Sequence, residues 1–227
     1  MNKLWYLSQI SLFDTLPKED LLEIEQITPS SVLKKGEIIQ TPTTFHEGLY
    51  LLKKGKLKLY KINPEGKQFI ISILGAGNVF GELDSFSFGT RDTFIETIED
   101  TFLCALSKEK FEQFLIDRPY LAVKIMKELS GLLNERDAIM AQLVLGNVRE
   151  KILQLLIILS KKFGVPNGNY IKIDMPLSHQ EIGDMIGSTR GTVTVVLNEL
   201  AKEKAIIISR MSIEVNLSEV ERLLHTQ

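Results

Sequence analysis

The chain has 227 residues, 44% of them hydrophobic and 25% charged, which is ordinary globular composition and long enough for one large domain or two modest ones. A net charge of −2 argues against a bulk, sequence-indifferent nucleic-acid binder but leaves room for a small DNA-reading domain joined to an acidic one. Cys104 is the only cysteine, so no disulfide framework and no iron–sulfur cluster is expected, and it fits a reducing cytoplasm. The start, Met1-Asn2-Lys3-Leu4-Trp5, shows no signal peptide. The most apolar later stretch, Ile152 to Leu159, is too short to span a bilayer, so no membrane partner is expected.

In chain order, a short helix is predicted after Pro17, around Lys18–Glu25. Short strand-like runs follow at Glu37-Ile38-Ile39, Leu49 to Leu52, Lys56 to Tyr60, Gln68 to Leu74, Phe94 to Thr97 and Phe102 to Leu106. Turn chemistry at Lys35-Gly36, Lys54-Gly55, Asn63-Pro64-Glu65-Gly66 and Gly75-Ala76-Gly77-Asn78 separates them. Many short strands with regular turns make a sandwich, barrel or roll.

The period changes near Ser107. Ser107-Lys108-Glu109-Lys110 opens a short helix and Pro119 a long one. In the long helix, Ala122, Ile125, Leu129, Leu132, Arg136, Ile139 and Leu143 recur in steps of three and four, the spacing of a two-stranded coiled-coil seam. The other reading is a helix packed on its own domain. Gly146-Asn147 breaks this helix and is the expected hinge. Asn147 with Glu150 approximates a capping box, so a helix is predicted over Val148 to Phe163.

Beyond Gly164 the pattern is strand, helix, turn, helix, hairpin. Tyr170 to Ile173 is a strand. Ser178 with Glu181 caps a short helix carrying Ile182 and Met185, and Gly187 makes the turn. Thr189 caps a second helix, Arg190 to Lys202, with Val193, Val196, Leu197 and Leu200 inward. Ile206 to Val215, turning at Arg210-Met211, is a wing. In a winged helix-turn-helix the second helix enters the major groove. Arg190 in its first turn has the side chain suited to two parallel hydrogen bonds with guanine.

The stretch Leu177 to Leu197, SHQEIGDMIGSTRGTVTVV between its leucines, resembles the DNA-binding signature of the CRP/FNR family. Gly77-Asn78-Val79-Phe80-Gly81-Glu82-Leu83, followed by Arg91-Asp92-Thr93, resembles that family's roll. The resemblance covers nearly the whole chain. It implies an α+β architecture: a cyclic-nucleotide-binding-type β-roll sensor over 1–118, a dimerisation helix and hinge over 119–146, and a winged helix-turn-helix over 147–227. It also implies a cytoplasmic transcription regulator and homodimer that reads palindromic double-stranded DNA and meets RNA polymerase. Arg190 matches the family's base-reading arginine. Ser178, His179, Gln180, Thr189 and Thr192 match phosphate-touching positions. Gly191 stands where the family often has glutamate and Val195 where cAMP-binding members have arginine, so their operator should not be read unchanged. Thr194 and Val195 are candidates for contact with thymine methyls.

In cyclic-nucleotide-binding members the glutamate of Gly-Glu-Leu takes the ribose and an Arg-Ser pair takes the phosphate. Gly81, Glu82 and Leu83 stand as in the family, and Thr93 replaces the serine, but Asp92 replaces the arginine, with Arg91 one residue early. A carboxylate facing a phosphate is repulsive. Arg136-Asp137 stands where paired small hydroxyls would meet the purine. cAMP is therefore not the expected ligand, although a one-residue shift of Arg91 on the loop would rescue the site and keeps a cAMP-responsive regulator as an alternative. A small anion such as a dicarboxylate, held by Arg136 with Arg91, and a ligand-free regulator both stay open. His46 is an isolated candidate haem ligand, with a surface role favoured, and Cys104 reads as inert core. No catalytic constellation or metal-ligand spacing is visible, so an enzyme is not expected. The rival binding-only reading, a cyclic-nucleotide-fold adaptor, leaves Arg190 without a purpose.

Overall fold

A computed structural model describes residues 3–8, 10, 12–14, 16–44, 47–83 and 87–225, without the side chains of 3–5, 135, 138, 139, 142–145 and 225. His46 and the side chains of Ile139 and Leu143 lie outside the described residues. The chain divides into two compact units, Met1–Lys61 with Ile71–Arg136, and Ile62–Ile70 with Asp137–Gln227.

Along the N-terminal half of the chain, helices α1 (Lys3–Ser8) and α2 (Lys18–Ile27) precede the strands β1 (Ser30–Leu33), β2 (Ile38–Gln40), β3 (Gly48–Lys54), β4 (Leu57–Ile62), β5 (Gln68–Leu74), β6 (Val79–Glu82), β7 (Phe94–Thr97) and β8 (Thr101–Ser107). They form two four-stranded sheets, ordered β1-β8-β3-β6 and β2-β7-β4-β5. Helices α3 (Lys108–Asp117) and α4 (Tyr120–Leu145) follow. Strands β3 and β8 pair antiparallel, with Leu49 opposite Leu106 and Leu51 opposite Cys104. Their side chains alternate between two cores, as the period of two requires. Leu52 and Leu103 join Leu57, Leu59, Phe80 and Ile95 in one. Leu49, Leu51, Cys104 and Leu106 join Ile24, Phe111, Phe114, Leu121 and Ile125 from the helices in the other. Burial on both faces is why these strands read as continuous apolar runs. Cys104 is fully buried, with the Ser30 hydroxyl 3.0 Å from its sulfur.

The helices are also tied by Arg118, whose guanidinium donates to Asp20 at 2.8 Å and Glu23 at 2.6 Å and lies 4.1 Å from the Phe114 ring centroid. That guanidinium holds the Asp20 carboxyl below the usual carboxylate range.

Helix α4 divides the expected seam. Ile125 is buried in the helix-side core and Leu129 packs against it, whereas Ala122 is exposed. A different stripe is open: Val123, Met126, Leu133 and Met140 are each about 60% exposed, with exposed Ser130 and Asp137 completing the steps of three and four. Part of the expected seam, Ile125 and Leu129, thus faces the helix's own core, and the same period recurs on the open face.

The second unit contains α5 (Val148–Phe163), β9 (Gly164–Asn167), β10 (Tyr170–Ile173), α6 (His179–Ile186), α7 (Arg190–Lys202), β11 (Ile206–Ser209), β12 (Ser212–Val215) and α8 (Leu217–His225). Its sheet runs β11-β12-β10-β9. Helices α5 and α6 start with full capping boxes, Asn147 with Glu150 and Ser178 with Glu181. Ile152, Leu153 and Leu156 of α5, Ile182 of α6, Val193, Leu197 and Leu200 of α7 and Val220 of α8 are all completely buried.

Lys53 is an oddity in the first unit. It is 2% exposed, its Nζ has no hydrogen-bond partner among the described residues, and it sits 5.4 Å from the Phe102 ring centroid. Lys53→Met keeps an unbranched side chain, one atom shorter, and removes the unpaired amine, so urea unfolding is expected to show a gain of about 1–3 kcal/mol. An unchanged or lower midpoint would contradict this account.

Candidate nucleic-acid interface and effector loop

Two helices and a tight turn build the first site. Gly187 ends α6 with φ 71 and ψ 28, a left-handed conformation that glycine takes without steric cost. The Ser188 amide donates to the Gly183 carbonyl at 2.9 Å, closing the turn. Thr189 caps α7 by accepting from the Thr192 amide at 3.2 Å, which leaves Arg190 as the first helical residue. The buried positions Val193, Val196, Leu197 and Leu200 fix which side of α7 faces its core. The opposite side presents Arg190, Gly191, Val195 and Asn198, all exposed, and half-buried Thr194.

The phosphate-position candidates are less uniform than the sequence suggests. The Ser178 hydroxyl is engaged in its cap, accepting from the Glu181 amide at 3.1 Å and donating to the Glu181 carboxylate at 2.7 Å. Gln180 donates to Asp184 at 2.8 Å. Thr189 and Thr192 share a hydroxyl contact of 2.9 Å. His179 lies 2.8 Å through Nδ1 from the Thr194 hydroxyl. Two further exposed residues are candidates that the sequence did not single out for DNA contact. Asn198 shares the open face of α7, where its spacing of eight from Arg190 was the available signal. Arg210 stands exposed at the wing tip, beside Met211, whose carbonyl accepts from the Leu177 amide at 3.2 Å.

The second site is the loop after β6. Glu82 is completely buried, and its Oε1 accepts from the Ser87 hydroxyl at 2.9 Å, the Thr90 amide at 2.8 Å and the Thr90 hydroxyl at 2.7 Å. Its Oε2 makes no hydrogen bond among the described residues and lies 3.6 Å from Arg91 Nε. Gln40 braces the loop from β2 by donating to the Thr90 carbonyl at 2.7 Å. Thr93 is buried, and its hydroxyl donates to the same carbonyl at 2.5 Å. Asp92 is exposed with φ 58. Leu83 belongs to the helix-side core. Arg136 reaches the loop from α4 and donates to the Gly89 carbonyl at 3.1 Å. Gly89 has φ 77, which favours glycine, and a Cβ there would displace the Arg136 guanidinium from its place against the loop. The structure thus gathers Glu82, Arg91, Thr93 and Arg136 about one loop. Asp137, the next residue on α4, is exposed.

Residues 31–118 match the model of the cyclic nucleotide-binding domain, and residues 150–225 match that of the Crp-like helix-turn-helix domain. The chain is 32% identical over 211 residues to the global nitrogen regulator of Synechococcus elongatus, covering 92% of each chain. It is 26% identical over 182 residues to the CRP-like cAMP-activated global transcriptional regulator of Mycobacterium tuberculosis, covering 78% of this chain and 81% of the other. In fold it is similar to FixK2 from Bradyrhizobium japonicum, with a TM-score of 0.77 and 21% identity, covering 88% of this chain and 99% of that one. The chain belongs to the CRP/FNR family of DNA-binding transcription regulators. That family consists of regulators rather than enzymes; its members bind DNA and typically act as dimers. No helix among the described residues is long and apolar enough to cross a membrane.

Because three hydrogen bonds converge on one Glu82 oxygen, Glu82→Ala leaves the Thr90 amide without its partner. The expected result is faster hydrogen exchange at Thr90 and a stability loss of about 1–3 kcal/mol.

Proposed function

We propose that this regulator works as a cytoplasmic homodimer, reads an imperfect palindrome through Arg190, acts on RNA polymerase at its promoters, and answers to a small anion other than cAMP. The observation that carries the reading is the orientation of α7, whose apolar face is buried while Arg190 opens the helix on the exposed side. Gly191 adds no side chain to the reading surface, and Val195, 58% exposed, offers only methyls. Both favour an operator different from that of the cAMP-binding members. Thr192 is a phosphate candidate on this reading, and Arg210 joins it from the wing.

The dimer is assigned to the open stripe Val123, Met126, Leu133 and Met140 of α4, because a second copy of the same helix buries that face in heptad register. The effector is assigned to the loop that carries Arg91 and faces Arg136. Three features disfavour cAMP: Asp92 at the phosphate position, the Thr93 hydroxyl donating within its own loop, and the Glu82 oxygen already accepting three bonds. Two guanidiniums around one loop suit carboxylates, as in a dicarboxylate.

Arg190→Ala is expected to relax preference at one guanine in each half-site, at a cost of about 1–3 kcal/mol there, measured by binding to operators substituted base by base. A variant with full preference would remove Arg190 from the reading set. Leu133→Glu is expected to give monomers in sedimentation and to abolish tight operator binding, whereas Leu129→Glu is expected to destabilise the first unit. For the effector, calorimetry is expected to register a short dicarboxylate, lost in Arg136→Leu, and no micromolar binding of cAMP. Silence with both compounds, together with an unchanged operator affinity in Arg136→Leu, would instead mark a ligand-free regulator.

A further inference from the structure

Accepting Arg190 as the base reader, we propose that His179 is a positioning residue for the recognition helix, acting through Thr194 on the first turn that carries Arg190. Thr194 Oγ1 donates its single proton to the Arg190 carbonyl at 2.8 Å. The same oxygen lies 2.8 Å from His179 Nδ1. In the proposed relay that proton is committed to the carbonyl, so the hydroxyl can only accept a second bond and Nδ1 carries the hydrogen. The result is a directed relay, from His179 Nδ1–H to the Thr194 hydroxyl to the Arg190 carbonyl, running from the start of α6 to the start of α7.

The relay fixes two things. It pins α7 against rotation about its own axis. With side chains about 5–6 Å from the axis, a turn of about 10° moves a reading group by roughly 1 Å, enough to spoil a bidentate hydrogen bond. It also fixes the tautomer: in the neutral ring Nε2 is an acceptor and has no proton to offer a phosphate. The inward bond, rather than a phosphate contact, is therefore the work of neutral His179. Its loss should fall on base discrimination.

The test uses the full-length protein and an operator in which the guanine read by Arg190 is replaced by adenine. His179→Ala and Thr194→Val are each expected to lower the guanine-to-adenine affinity ratio about 3- to 10-fold, the worth of one hydrogen bond. The double variant should be no worse than either single one, because both break the same relay. His179→Asn, whose amide nitrogen occupies the place of Nδ1, should restore the ratio, and His179→Gln, which mimics Nε2, should not. Nitrogen-15 spectra of the free protein should show the Nδ1-protonated tautomer, and circular dichroism should show all variants folded.

An Nε2-protonated ring overturns the proposal. So does a Thr194→Val protein that keeps its ratio. Rescue by His179→Gln, with uniform weakening on all sequences and a salt slope lower by about 1, would make His179 a phosphate contact instead. If Arg190→Ala leaves the ratio untouched, the base-reading assignment fails by itself. The tautomer, and the coupling between His179→Ala and Thr194→Val in thermal stability, then decide the relay.

Discussion

The pairing of β3 with β8 is the constraint from which the first unit follows. Both strands are buried on both faces, so neither can slip by one residue without driving side chains into the wrong core. β6 pairs with the other edge of β3, with Glu82 opposite Gly48, and this sets where the following loop begins. The helix-side core takes Leu121 and Ile125 from α4 and thereby fixes the rotation of that helix. Arg136, eleven residues on from Ile125, then lies on the same side and meets Gly89. The loop and the arginine that touches it are placed by one core.

Helix α7 of the helix-turn-helix is placed by the same logic applied to a helix period. Val193, Val196, Leu197 and Leu200 leave α7 one orientation, and the turn at Gly187 leaves it one entry angle. Polar side chains then finish what apolar packing leaves loose. The caps at Ser178 and Thr189 define where α6 and α7 begin, and the His179–Thr194 bond links the two helices at those ends. Several residues that looked from the sequence like free phosphate ligands are thus already part of the scaffold.

Most of the second unit was legible because its signals are local. Capping boxes, a turn glycine and an inward stripe each occupy a few consecutive residues, and α5, α7, β10 and the wing fall where those signals put them. β1 was not legible: Ser30-Ser31-Val32-Leu33 is an edge strand with an exposed pattern, so it lacks the alternation that marks a half-buried one. β6 was noticed as a motif rather than a strand, since Gly81 breaks its apolar run. β9 and α8 gave no strong signal either. For the loop after β6, residue identity showed that Asp92 and Thr93 depart from the family's phosphate-binding pattern. It did not show that Glu82 is occupied by Ser87 and Thr90, which depends on the fold of a loop. On α4 the periodic stripe did not reveal that Ile125 and Leu129 pack into the helix's own core, because periodicity alone does not say which of two partners a stripe meets.

The loop after β6 has a thermodynamic consequence of its own. Its buried polar groups are tied to one another: Gln40 and Thr93 both bond the Thr90 carbonyl, and Glu82 holds Thr90 and Ser87. Over the described residues 87–93 the polar groups are thus ordered by bonds within the chain itself. A molecule docking on these residues would forfeit little ordering entropy in them.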